Sequence, residues 1–310
     1  MMNHRHPLHG RSTGMFRRII LCLALILAVA SLVACSLINT LFPPPAKPAK
    51  IALVLGGGGS KGFAHIGVLK VLEAQKIPVH MVVGTSAGSV VGSLYASGKS
   101  AFELQEIALK MDKDKIIDYD WKIWSGGLII GDKLENFINT YVKNTPIEKL
   151  KIPFYAVATN IATGEETVFA RGNTGMAVRA SCSVPAVFQP LKIGNNTYVD
   201  GGVVSPVAVN VARRNGADIV IAVDISGGLQ RTVPDGMFDS IKKSVDIMYS
   251  KIAEYQIKHA DVVIRPNMKH ISSTEMEKFN EAILEGEKAA TLKLPELQQI
   301  MAQLKQERRL

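Results

Sequence analysis

Two short apolar runs, each leading through a glycine-bearing turn into a helix-patterned segment, constrain this chain more than any other feature. Ile51–Leu55 is apolar and β-capable, a glycine loop follows, and Phe63, Ile66, Val68, Leu69 and Leu72 then recur at helical spacing. Residues 79–83 repeat the strand pattern, and residues 86–96 repeat the helical one before Ser97-Gly98 stops it. Successive units of this kind place their strands parallel and join them by right-handed crossovers. The expected fold class is therefore α/β, three-layered, with a mainly parallel central sheet covered by helices.

Later segments fit that frame. Residues 101–142 read as helices broken over 121–127, without a strong strand. Residues 154–159 and 166–170 flank Ala162-Thr163-Gly164, a hairpin signal. Ile219–Val223 has a buried-strand pattern, and residues 261–264 form another strand candidate before Pro266. Residues 238–260 and 274–306 read as helices, the second interrupted near Pro295. With no internal repeat and no second linker, residues 51–310 are expected to form one domain, with a motif core over about 51–214 and a helical part over about 215–310. A hydrophobic fraction of 47% against 20% charged residues supplies the core such a domain needs.

The amino terminus reads as an address. Residues 1–18 are polar and basic, 19–33 are apolar, and Leu32-Val33-Ala34-Cys35 closes the segment, the layout of a secretion signal. Those last four residues resemble the lipobox of bacterial lipoproteins, which are cut before a cysteine that carries a diacylglyceryl group. The expectation is a signal over 1–34, lipidation at Cys35, and a linker over 35–50. In that linker Phe42-Pro43-Pro44-Pro45-Ala46-Lys47-Pro48 extends at about 3.1 Å per residue. An uncleaved anchor is the alternative, because apolar character runs on to Ile38. Either arrangement places the body at a bacterial envelope membrane. Ser36 is not the aspartate of inner-membrane retention in enteric-type sorting, which favours the outer membrane, facing the periplasm.

Charge and cysteines exclude other classes. Of the net +9, Arg5, Arg11, Arg17 and Arg18 lie in the expected signal, leaving 9 − 4 = +5 spread over mixed-sign faces. Nucleic acid is not an expected partner. Cys22, Cys35 and Cys182 draw neither a disulfide framework nor a zinc spacing, and no metal or other cofactor is expected.

Three glycine-bearing motifs carry the chemistry. In Gly56-Gly57-Gly58-Gly59-Ser60-Lys61-Gly62 the backbone can aim several N–H groups at one anion, a phosphate or the oxyanion of a tetrahedral intermediate. Nucleotide binding lacks its other requirements: Gly62 is followed by Phe63 rather than lysine and a hydroxyl residue, and residues 77–84 hold no acidic group. Gly84-Thr85-Ser86-Ala87-Gly88 matches G-x-S-x-G, in which small residues let a serine sit on a tight strand-to-helix turn. Gly58-Gly59-Ser60-Lys61-Gly62 matches the same pattern, so the pattern alone does not rank Ser86 above Ser60, whose other role is a helix cap. Asp200-Gly201-Gly202 is a turn, or a base whose pKa burial would have to raise.

The order G-G-G-x-K-G, G-T-S-A-G, D-G-G resembles the patatin-like phospholipase family, relatives of the neuropathy target esterases. Arg179-Ala180-Ser181-Cys182-Ser183-Val184-Pro185-Ala186-Val187-Phe188-Gln189-Pro190 is similar to that family's A-S-x-x-x-P-x-x-F-x-P segment. The resemblance implies a lipid or carboxylic-ester hydrolase with a Ser–Asp dyad and no histidine. It assigns Ser86 as nucleophile, Asp200 as base, and Gly57, Gly58 and Gly59 as the oxyanion hole, with Gly62, Gly84, Gly88, Gly201 and Gly202 as motif glycines. Substrate would come from the membrane that holds the anchor. A lipid-binding lipoprotein without the chemistry is the alternative reading. A histidine triad is the rival mechanism: His65 and His80 fall within the core pattern, and residue order would permit His259 or His270. Trp121 and Trp124 read as a packed cover or a lipid-facing lip, Lys61 as a solvated cation or a phosphate contact, and Cys182 as a small apolar residue.

Overall fold

The computed structural model describes residues 17–18, 20–31, 46–111, 116–120, 126–228 and 233–310. Cys35, Trp121 and Trp124, with the roles expected of them, lie outside the described residues. The chain divides into two units, the larger of which is Ala49–Lys305 with Leu310. In the smaller unit residues 20–31 are helical and exposed. Among the described residues no helix is long and apolar enough to cross a membrane.

The larger unit opens with the two expected units, β1 (Ile51–Leu55) to α1 (Ala64–Ala74) and β2 (Met81–Thr85) to α2 (Ala87–Ala96). It continues through α3 (Ala101–Leu109), β3 (Gly127–Ile129), α4 (Asp132–Tyr141), β4 (Phe154–Asn160), β5 (Glu166–Phe169) and α5 (Thr174–Ser181). Next come β6 (Ala186–Phe188), β7 (Leu191–Ile193), β8 (Asn196–Asp200), α6 (Val209–Arg214) and β9 (Ile219–Val223). It ends with α7 (Met237–Gln256), β10 (Val262–Ile264), α8 (Phe279–Leu292) and α9 (Leu294–Gln306).

The main sheet runs β10-β9-β1-β2-β4-β8-β7, with β5 also paired to β4. Neighbours from β10 to β4 are parallel, whereas β5, β8 and β7 are antiparallel additions. Both faces of the parallel part are covered, which is why its strands read as unbroken apolar runs. On β1, Ile51, Leu53 and Leu55 enter one core while Ala52 and Val54 enter another. The first core packs under α1 to α5, α8 and α9, and the second under α6 and the end of α7. Sheet and two helical layers make the three layers the sequence predicts.

Two expectations shift in detail. The stretch 101–142 does contain a strand, β3, paired parallel with β6; its three residues are too few for a periodic signal. The helical region from 274 begins at Phe279, and α8 and α9 meet at Lys293. Pro295 then falls in the first turn of α9, where its missing N–H costs no hydrogen bond.

The sheet also brings distant residues together. On one edge of β4, β2 pairs with residues 154–157 and ends at Thr85 opposite Val157. From the other direction β8 runs along that same edge and ends at Asp200 opposite Ala158, because β5 occupies the other edge over 156–159. The carboxyl ends of β2 and β8 therefore meet head to head. Ser86 and Asp200 arrive at one point, outside the carboxyl ends of the parallel strands, where open α/β sheets place their sites.

Candidate active site

Ser86 joins β2 to α2 in a single residue, at φ 52° and ψ −123°, a conformation that costs a side-chain-bearing residue on the order of 1–3 kcal/mol. The surroundings hold it there. Its N–H donates to Ser181 Oγ at 2.9 Å, and that hydroxyl donates onward to the Val157 carbonyl at 2.6 Å. Its carbonyl accepts from Ser89 N–H at 2.7 Å and from Ser89 Oγ at 2.6 Å. Serine at this turn also caps α2 without a side-chain bond to it. The hydroxyl thus stays available at the positive end of a ten-residue helix.

Asp200 closes β8 and is 5% exposed, next to a Ser86 that is 7% exposed. Its N–H donates to the Ser183 carbonyl at 2.8 Å, its carbonyl accepts from Thr159 Oγ1 at 2.9 Å, and its Oδ1 accepts from Gly202 N–H at 2.6 Å. Oδ2 is buried with no partner at hydrogen-bond geometry. Burial pushes the carboxyl up to about 6, and the nearby Ser86 hydroxyl and the Gly202 N–H offset only part of that rise. An acceptor oxygen beside a serine hydroxyl, with a pKa moved toward neutrality, suits a general base; such contacts are often long before substrate binds.

The glycine loop supplies the opposing donors, with one change from the sequence expectation. Gly57 N–H donates to the Pro206 carbonyl at 3.1 Å and is not available to an oxyanion. The N–H groups of Gly58 and Gly59 have no acceptor among the described residues. Gly57 contributes room instead, since a Cβ there would lie 3.1 Å from Ser86 Cβ. Gly62 does the same against Ala87, where a Cβ would meet Ala87 Cβ at 2.7 Å. At the third motif a Cβ on Gly201 would meet the Val157 carbonyl oxygen at 2.2 Å, and one on Gly202 would meet Asp200 Oδ1 at 2.9 Å.

Ser60, indistinguishable from Ser86 by pattern, is separated from it by its contacts. Its hydroxyl donates to the Ser272 carbonyl at 2.8 Å and its N–H to the Ser273 carbonyl at 2.9 Å, so it ties the loop to a neighbouring segment and caps no helix. Lys61 Nζ donates to the Ser226 carbonyl at 2.9 Å. Among the described residues no imidazole is hydrogen-bonded to Ser86 or Asp200. His65 is fully buried with Nε2 2.8 Å from the Gly56 carbonyl, and burial lowers its pKa to about 4, so it is neutral. His80 Nδ1 accepts from Ile51 N–H at 3.1 Å, the His259 ring packs on Tyr255, and His270 Nε2 lies 3.1 Å from Glu281 Oε1.

Three neighbours carry no part in the chemistry in the sequence reading. Ser181 was visible only as part of the segment before Pro185, and it pins the Ser86 turn. Cys182, buried with Sγ 3.7 Å from Ser89 Oγ, has its pKa raised by burial and by Asp200 and stays a thiol. Tyr249, on α7, donates from its hydroxyl to the Gly57 carbonyl at 2.6 Å and has no motif around it. A cavity of about 660 Å³ borders Gly58 and Tyr249, with Lys61, Lys243, Asp246 and Met268 in its wall; neither Ser86 nor Asp200 lines it.

The Patatin-like phospholipase family model matches residues 53–213 of the 310. The chain is 33% identical over 179 residues to an uncharacterized NTE family protein of Mycobacterium tuberculosis, a match covering 57% of this chain and 49% of that protein. It is 36% identical over 184 residues to patatin-like phospholipase domain-containing protein 6 of Homo sapiens, covering 56% of this chain and 13% of that protein. The match thus spans about half the length of the mycobacterial relative. Among solved structures, VipD from Legionella pneumophila shares the fold with a TM-score of 0.56 at 13% identity, over 82% of this chain and 67% of that one.

Proposed function

The chain belongs to the patatin-like phospholipase family, and from that premise we propose that it is a serine acyl hydrolase cleaving carboxylic esters of lipids through a Ser86–Asp200 dyad. The observation that carries the reading is the buried, unpartnered Oδ2 of Asp200 beside the strained serine turn. Ser86 Oγ attacks the ester carbonyl carbon while its proton passes to Asp200 Oδ2. The carbonyl oxygen becomes an oxyanion held by the N–H groups of Gly58 and Gly59. Collapse expels the alcohol, which takes the proton from Asp200, and leaves an acyl-Ser86 ester. Water then attacks that ester, giving its proton to Asp200, and the acid is released as Ser86 regains its hydroxyl. A fluorophosphonate probe tests the reading: a covalent adduct is expected on the peptide carrying Ser86 and not on that carrying Ser60. An unmodified chain would instead mean a lipid-binding protein without the chemistry.

We further propose that Cys35 is lipidated and holds the body at the envelope, on the strength of Leu32-Val33-Ala34-Cys35 after an apolar run. Several acyl chains at about 0.8 kcal/mol per buried methylene make such attachment effectively permanent. Radiolabelled palmitate is expected to enter the wild type and not Cys35→Ala; label that survives the substitution overturns the anchor. Substrate would then be taken from the membrane that carries the enzyme.

A further inference from the structure

The Gly57 carbonyl, which accepts the 2.6 Å bond from Tyr249, belongs to the same peptide unit as the Gly58 N–H. A trans peptide is planar with C=O and N–H pointing in opposite directions, so anchoring one aims the other. The preceding peptide is tied at both ends as well. Gly57 N–H donates to the Pro206 carbonyl at 3.1 Å, and the Gly56 carbonyl accepts from His65 Nε2 at 2.8 Å. Gly58 N–H is therefore the first donor of the loop that is both oriented and unspent.

Tyr249 also borders the glycines that flank the dyad. A Cβ on Gly57 would lie 2.8 Å from the Tyr249 hydroxyl oxygen and 3.1 Å from Ser86 Cβ, so tyrosine, loop and nucleophile crowd one position. A Cβ on Gly202 would lie 2.7 Å from Tyr249 Cε2 and 2.9 Å from Asp200 Oδ1, so the ring and the base both border the same glycine. Removal from water, together with the negative charges of Asp200 and Asp224, holds the phenol pKa well above its ordinary value, so the hydroxyl remains a donor. The helix that carries it is fixed about two turns on, where Gln256 Oε1 accepts from Val207 N–H at 3.0 Å and Nε2 donates to Ser205 Oγ at 2.9 Å. Those anchors sit beside Pro206, which holds the loop from its other side.

We propose that Tyr249 is a positioning residue: its hydroxyl fixes the Gly57–Gly58 peptide so that the Gly58 N–H faces the carbonyl oxygen of an ester attacked by Ser86. The proposal rests on the hydrolase reading above. It gives α7, which carries no motif, a part in the chemistry.

Tyr249→Phe keeps the ring and removes the donor. Hydrolysis of p-nitrophenyl butyrate by the full chain, expressed per site titrated to completion with a fluorophosphonate, is expected to show kcat lowered about tenfold or more with KM within about twofold. Affinity for an alkyl trifluoromethyl ketone, whose Ser86 adduct carries an oxyanion, is expected to weaken by a similar factor. A residue that only packs would shift the melting temperature and leave kcat and ketone affinity per titrated site unchanged; that result overturns the proposal. Tyr249→Leu, read in the same way, provides a second hydroxyl-free side chain should the first variant fold poorly. A wild type with neither a Ser86 adduct nor ester hydrolysis overturns the hydrolase reading, and the positioning role with it. An active wild type with an unimpaired Tyr249→Phe overturns the positioning role alone.

Discussion

Asp200→Asn is expected to lower ester hydrolysis at neutral pH by about 10³-fold while raising the melting temperature of the protein. Both effects have one cause. The carboxyl sits at about 6 in the folded chain against an ordinary value of 3.8, because burial disfavours the charged form. Between those values the folded state keeps a proton that the unfolded chain has lost, so stability falls as pH rises from about 4 to about 6. Above 6 the whole cost stands, on the order of 3 kcal/mol for a shift of two pKa units. Asparagine carries no charge to desolvate and still offers an oxygen to Gly202 N–H, so about 1–3 kcal/mol of that cost should be recovered. The amide has no acceptor oxygen free to take a proton from Ser86, which is why activity is lost.

The pH dependence separates this account from its rivals. Wild-type kcat/KM should rise with pH through an apparent pKa near 6 and then level, since only the ionised carboxylate accepts the proton. The stability advantage of Asp200→Asn should shrink as pH is lowered from 6 toward 4, because the folded wild-type carboxyl takes up its proton over that range and its desolvation cost disappears. Thermal melts at several pH values and a pH–rate profile measure both. Retained activity in Asp200→Asn, with loss in His259→Ala or His270→Ala, would reinstate a triad. The contacts argue against that, as His270 lies against Glu281 and His259 against Tyr255, neither on Ser86.

How much of this was legible in the sequence depends on whether a residue's role is local. The two strand–turn–helix units announce themselves because burial on both sheet faces forces long apolar runs, and the parallel core follows from their succession. The meeting of Ser86 with Asp200 is not local: it follows from β2 and β8 sharing one edge of β4, a pairing no spacing encodes. Ser60 and Ser86 share a pattern and differ only in where the chain later folds, since residues 272 and 273 return to occupy Ser60. The family resemblance assigns Gly57 to the oxyanion hole with Gly58 and Gly59, yet Pro206, distant in sequence, takes its N–H. Tyr249 lies in a helix with an ordinary pattern, and only the packing of α7 over the loop gives its hydroxyl a target. The family segment around Ser181 was visible, but its role as a bridge from Ser86 to Val157 needs the third dimension.

Gly88→Ala is expected to cost at least about 4 kcal/mol and to leave little folded protein, although it adds a single methyl group and removes no reacting atom. A Cβ at Gly88 would lie 2.0 Å from the Leu55 carbonyl oxygen, 2.5 Å from the Leu55 carbonyl carbon and 2.8 Å from the Gly56 oxygen. All three are backbone atoms where β1 enters the glycine loop, and β1 is held between β2 and β9. No rotamer change relieves the clash; either α2 lifts from the sheet or β1 shifts in register. Gly92, one turn further along α2, provides the control. A Cβ there meets Val82 Cγ1 at 3.0 Å, Phe154 Cε2 at 3.1 Å and Leu55 Cδ1 at 3.5 Å, all side-chain atoms able to adjust. Alanine also gains up to about 1 kcal/mol of helix propensity over glycine, so Gly92→Ala should stay within about 1 kcal/mol of wild type. Chemical denaturation of the two variants side by side decides the matter, and a Gly88→Ala protein with wild-type stability and esterase activity would show that α2 need not lie this close to β1. The closing glycine of G-T-S-A-G is thus required by the path of the chain through the turn. Activity and fold should fail together at Gly88, whereas at Asp200 they move in opposite directions.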